Sequence, residues 1–325
     1  MALGQDALSG SAPSVLQAGV SASGKPFVLV ADSSSGTRVL EWSGSAWVAL
    51  GSTLAGAEQA SLAVGGNAST FIAYTATEAP LLRVAKLVGS QWQAVDGTGL
   101  PAGPATGLTL QAAADGSLFL ACSLVDDGST AVFSLSGSGS SWQQLPSISF
   151  ETGTPMRLGA SGRPLVVGFD DAGGQLCVMG LTAGGAWDPV GPCNQLEFSS
   201  GVSLAITPGG LVLLAFRDES TSSVRVIKID STSWTTVGGF LETNEAASAC
   251  QLVAPADSLL VVGCLVPGSQ PAVLQYTGQQ WAAVPSTGLP SGPSLLQLAV
   301  TPAGTLVAAY TDGTGAVHAE RYSQQ

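Results

Sequence analysis

Residues 202–237 read VSLAITPGGLVLLAFRDESTSSVRVIKIDSTSWTTV. Four short apolar segments stand in this stretch: VSLAIT (202–207), LVLLAF (211–216), VRVIKI (224–229) and WTTV (234–237). Turn chemistry separates them, first Pro208-Gly209-Gly210, then Asp218 to Ser222, then Asp230 to Ser233. Helical periodicity is absent, and Gly or Pro interrupts nearly every window long enough for a helix. The stretch therefore predicts four strands joined by tight hairpins.

The same unit recurs along the chain. Trp47, Trp92, Trp142, Trp187, Trp234 and Trp281 each follow a short polar turn and are spaced by 45, 50, 45, 47 and 47 residues. A second marker, the apolar runs FVLVAD, FIAYT, LFLACS, LVVGFD, LVLLAFRD, LLVVGC and LVAAYTD, places a small residue at 31, 73, 121, 168, 215, 263 and 309. Four-stranded units repeated at this period are the signature of β-propeller blades, in which each small sheet packs on its neighbours. The expectation is an all-β, seven-bladed β-propeller of four-stranded antiparallel blades, a single domain over residues 1–325. Its blades begin near residues 14, 60, 107, 155, 201, 249 and 294. The Trp-led fourth strand occurs only six times. Residues 1–10, MALGQDALSG, align with 47–56, so residues 1–4 are expected to form the outer strand of the closing blade and remove an open seam.

Composition narrows the function. The 325 residues carry 22 Asp and Glu against 10 Lys and Arg, a net charge of −12. That balance opposes the phosphate contacts of nucleic-acid binding. No run reaches the roughly 18 apolar residues of a membrane helix, so membrane insertion is not expected. The N-terminus lacks the basic start and apolar stretch of an export signal.

Catalytic constellations fail for want of parts. His318 is the only histidine and sits in a predicted third strand, which excludes imidazole-rich metal sites; no metal and no cofactor is expected. No nucleophile elbow or phosphate-binding glycine loop is present. The five cysteines, Cys122, Cys177, Cys193, Cys250 and Cys264, show no C-x-x-C spacing. A buried apolar role is expected for most, with a cross-strand contact possible between Cys250 and Cys264. The repeated tryptophan is read as packing between blades rather than as a sugar platform.

Carboxylates carry the functional reading. An Asp falls three residues after the small strand residue in three units, Asp171, Asp218 and Asp312, where four other units have Ser34, Ala76, Leu124 and Val266. Aspartate there commonly caps its own turn; ligand contact is the alternative. Sorting the acids by strand assignment puts 16 of 22 in the loops joining second to third strands and fourth strands to the next blade, among them Asp127 and Glu197. This acidic, loop-rich face is the expected partner surface, with Asp171, Asp218, Asp312, Asp127 and Glu197 as ligand-binding candidates.

The G-S-x-W turn, the A-Y/F-x-D second strand and the x-G-L-x-x-G connection resemble the seven-bladed repeats of bacterial and algal surface propeller proteins, including propeller lectins. The resemblance covers the whole chain and implies an extracellular or cell-surface recognition module, often carbohydrate-binding. Three functions are weighed. The first is a non-enzymatic recognition or assembly scaffold binding a ligand or protein partner through the acidic face. The second is a lectin with sites between blades, and the third a glycoside hydrolase using carboxylates among Asp170, Asp171, Asp218 and Glu219. Fold alone does not choose between them.

Overall fold

The computed structural model describes residues 13–322 except 22, 33–34, 66–67, 79–80, 96, 127, 149–154, 170–174, 195–201, 219–220, 222, 240, 242–248, 267–269, 285–288, 290–291 and 302–303. Every regular element among them is a β-strand. The strands form seven antiparallel sheets in sequence order, six with four strands and the last described by three. The protein is a seven-bladed β-propeller. Blades 1 to 4 belong to the compact unit Pro13–Asp188, and blades 5 to 7 to a second unit that includes Pro189–Gln325. The segment expected to close blade 7, residues 1–4, lies outside the described residues.

Blade 5 shows how the sequence makes a sheet. Its strands are Ser203–Ile206, Val212–Asp218, Ser223–Ile229 and Trp234–Thr236. Gly210, at φ 87°, closes the first hairpin by donating its N–H to the Thr207 carbonyl at 2.9 Å. Asp230 closes the last, where its Oδ1 accepts the backbone N–H groups of Thr232 at 2.9 Å and Ser233 at 2.8 Å. Second strands are covered on both faces: Pro26–Asp32 and Leu306–Thr311 are buried throughout. Fourth strands are short and largely exposed, which blunts the sheet edge.

The core lies between consecutive blades. Phe71, Leu82 and Val84 of blade 2 pack with Leu110, Leu120 and Phe133 of blade 3. Leu213, Val224 and Val226 of blade 5 pack likewise with Leu252, Leu260 and Val262 of blade 6.

Two sets of hydrogen bonds fix the register between blades. The first runs forward from the first strands. Gln17 accepts the Leu62 N–H at 2.8 Å and donates its amide to the Leu62 carbonyl at 3.0 Å. Gln251 makes the same pair of bonds to Leu298. Ser61 and Ser203, at the equivalent position, accept the Leu110 and Leu252 N–H groups, each at 3.0 Å. The second set runs backward from the fourth-strand tryptophans. Trp92, Trp142, Trp187, Trp234 and Trp281 donate Nε1–H to the carbonyls of Ser52, Val95, Pro146, Pro192 and Val237 on the preceding connection, at 3.0, 3.3, 2.9, 2.7 and 2.7 Å. A net hydrogen bond contributes about 1 kcal/mol, whereas burying one leucine contributes about 1.5–3 kcal/mol. Apolar packing therefore supplies most of the cohesion, and the polar bonds select the alignment. The tryptophans are inter-blade latches, as the sequence reading expects.

The register corrects two positions of the small-residue marker. Ser61 pairs with Ala73, Ser203 with Ala215 and Gln251 with Gly263. The matching partner of Gln17 is Leu29, not Ala31, and in blade 4 the matching residue is Val167, not Gly168. The cysteines bear out the expected cross-strand contact but not the apolar role expected of most of them. Cys250 and Cys264 face each other across the first hairpin of blade 6 and form a disulfide with Cα atoms 4.1 Å apart. Cys177 and Cys193 are disulfide-bonded as well, leaving Cys122 as the buried thiol, its pKa pushed up to about 12 by burial. The apolar role expected of most cysteines holds for this one.

Candidate functional site

Antiparallel order places the second-to-third loops and the blade-to-blade connections at the same end of each sheet. In blade 1 the connection folds back onto the start of the third strand. Thr37 and Leu54 exchange two backbone hydrogen bonds of 2.9 Å, and the Thr37 hydroxyl donates to the Ala57 carbonyl at 2.9 Å. Blade 5 repeats this with Leu241 on Val224 at 2.9 Å. The two loop types are thus neighbours, and the carboxylates at this end sit where both meet.

In the corrected register, the position three residues past the small residue holds Asp32 in blade 1, Asp218 in blade 5 and Asp312 in blade 7. Ala76, Leu124 and Val266 stand there in blades 2, 3 and 6. Asp32 replaces Ser34 of the sequence reading. In blade 4 the count reaches Asp170 rather than Asp171, and both lie outside the described residues, as do Asp127 and Glu197. Of the five candidates, the structure describes Asp218 and Asp312. The distance from this position to the following tryptophan varies between blades, so only the strand pairing identifies Asp32 as the equivalent of Asp218 and Asp312.

A basic side chain accompanies each of these three aspartates. The third-strand residues opposite Val30, Phe216 and Tyr310 are Arg38, Arg225 and His318. Asp218 is buried and its Oδ2 accepts Nη1–H of Arg225 at 2.8 Å, while Arg225 Nη2 donates to the Thr236 hydroxyl at 3.1 Å. The pair is charged and largely shielded from water, which makes it stiff and costly to break. Asp218 Oδ1 also caps its turn through the Thr221 N–H at 3.4 Å. Asp32 is buried and accepts the Ser35 hydroxyl at 3.1 Å.

Asp312 is more open. Its Oδ1 accepts the Thr314 hydroxyl at 2.6 Å and the N–H groups of Thr314 and Ala316 at 2.8 and 3.0 Å, and its Oδ2 lies 2.7 Å from Nε2 of His318. The Thr314 hydroxyl first, and then His318, hold its carboxyl well below the usual range. His318 stacks on Tyr310, with ring centroids 5.5 Å apart. Tyr310 and Tyr322 donate their hydroxyls to the two oxygens of Glu320, each at 2.8 Å. Burial, reinforced by Glu320, raises both tyrosine pKa values, so the phenols stay protonated donors. The lone histidine is thus tied into a polar network. Chemically, these sites offer fixed anionic acceptors beside cationic or phenolic donors. Among the described residues no group of three or more His, Cys, Asp or Glu is placed to hold a metal ion. Among the described residues no helix is long and apolar enough to cross a membrane.

The fold and this end of the blades define a seven-bladed propeller with polar sites in register. No family model matches the chain, and no curated protein does. Solved structures share its fold. A mutant Aleuria aurantia lectin in complex with Fucα1-6GlcNAc is 13% identical, with 82% of this chain and 92% of that chain covered and a TM-score of 0.55. Kuenenia stuttgartiensis hydrazine synthase is 12% identical over 99% of this chain and 100% of that chain, with a TM-score of 0.67. A protein from Lactobacillus plantarum is 14% identical over 93% and 95%, with a TM-score of 0.61.

Proposed function

We propose that this chain is a non-enzymatic recognition or assembly module that binds a ligand or protein partner through the acidic, loop-rich end of its blades. The observation that carries the reading is the state of the carboxylates there. Asp218 is held by Arg225 and the Thr221 N–H, and Asp312, whose carboxyl is held below the usual range, by Thr314, Ala316 and His318, which suits fixed acceptors in a binding surface. A glycoside hydrolase needs one carboxyl that gives up a proton to the leaving group, and neither is built for that. Asp171, Asp127 and Glu197 extend the proposed surface. The excess of negative charge favours cationic partners and repels polyanions, nucleic acid included. Disulfide bonds accord with an extracellular or cell-surface location.

A carbohydrate ligand is the second reading, favoured by the likeness to a propeller lectin bound to a fucosylated sugar. One experiment separates the two. Wild-type protein and a variant with Asp127, Asp171, Glu197 and Asp312 changed to Asn or Gln are compared on a glycan array and in pull-downs with basic and acidic protein baits across a salt series. Salt-sensitive capture of basic baits that the variant loses supports the acidic surface. Sugar-competed array binding supports the lectin. Unchanged partner binding by the variant removes the acidic end from consideration.

A further inference from the structure

We infer that Arg157 in blade 4 forms a binding site for an oxyanion, a carboxylate or phosphate group, separate from the aspartate positions of the loop end. Arg157 is the middle residue of the first strand Met156–Leu158 and pairs with Leu165. In the other six blades the equivalent first-strand residues are Gly19, Ala63, Gln111, Ala205, Val253 and Ala299, opposite Phe27, Phe71, Phe119, Leu213, Val261 and Val307. None of the six is charged, so the blade does not need a cation there.

Arg157 as a residue is half-buried, and burial of its guanidinium lowers its pKa. The hydrogen bond it makes runs from Nη1 to the carbonyl of its own neighbour Met156, at 2.9 Å. No described carboxylate forms an ion pair with it, in a chain where acids outnumber Lys and Arg by 22 to 10. A shielded guanidinium without a counter-charge is destabilising unless something supplies one. Its fork of donors fits two oxygens of one planar or tetrahedral anion.

The test uses wild-type, R157Q and R157K proteins, with D-glucuronate, inorganic phosphate and chloride compared at equal ionic strength. Without added oxyanion, R157Q should melt at or above the wild-type temperature, because an unpaired charge is gone. Wild type should be stabilised by glucuronate or phosphate beyond chloride, R157Q should lose affinity at least about tenfold by calorimetry, and R157K should keep only a residual response. A stronger glucuronate arm identifies an acidic sugar or peptide carboxylate, and a stronger phosphate arm a phosphorylated ligand. Equal responses of wild type and R157Q, or an R157Q protein destabilised with no oxyanion response in wild type, would overturn the site.

Discussion

The indole Nε1–H of Trp281 donates to the carbonyl oxygen of Val237, 44 residues earlier, at 2.7 Å. One bond thereby ties the outer edge of blade 6 to the chain leaving blade 5. Replacing Trp281 with Phe keeps most of the ring and removes the donor. The expected loss is about 1 kcal/mol of unfolding free energy, read as a lower urea midpoint at unchanged slope. No shift in the midpoint would mean that the latch aligns without stabilising.

Gly191 allows the equivalent latch on blade 5. At φ 78°, a Cβ there would meet the Asp230 carbonyl oxygen at 2.2 Å, so only glycine lets the connection lie against this turn and present the Pro192 carbonyl to Trp234. Gly191→Ala is expected to cost at least about 1–2 kcal/mol from the backbone conformation alone. Trp234 fluorescence should shift as well, since its donor loses alignment. A variant with wild-type stability and emission would contradict this account.

The Cys250–Cys264 disulfide closes a loop of 14 residues. Loop-closure entropy predicts that its removal lowers stability by about 3 kcal/mol. A Cys250→Ser/Cys264→Ser protein should therefore unfold at lower urea concentration. Mild reductant should reproduce part of this effect in wild type, and any response left in the double variant comes from the disulfide bonding of Cys177 and Cys193.

Stability should depend on pH through Asp312. Its carboxyl is held below the ordinary value, so its contribution is complete above about pH 4–5 and is lost as the pH falls through its folded value. Asp312→Asn should destabilise the protein at neutral pH, and the gap to wild type should narrow steadily toward pH 2. A gap that stays constant with pH would assign the effect to lost hydrogen-bond shape instead of charge.

Blade number and strand order were legible because the tryptophan turn and the apolar second strand recur at one period, and both report on packing. The small-residue marker misled in blades 1 and 4. A second strand buried on both faces, such as Pro26–Asp32, accepts a small residue at more than one place, so Ala31 imitates Leu29. That slip hid Asp32. The pairing of Asp218 with Arg225 and of Asp312 with His318 was equally hidden, since each is joined only by the register across a hairpin. The opposition of Cys250 to Cys264 followed from the hairpin in the sequence, whereas their oxidation, and that of Cys177 and Cys193, did not.

The forward bonds of Gln17 and Ser61 and the backward bonds of the tryptophans all attach to strands or to the connections between blades. An insertion or deletion inside a strand would unfasten both at once. Among the described residues, those joining second to third strands carry neither kind, so substitutions there leave both sets of bonds in place. New specificities can therefore arise one blade at a time on a framework whose cohesion is settled elsewhere.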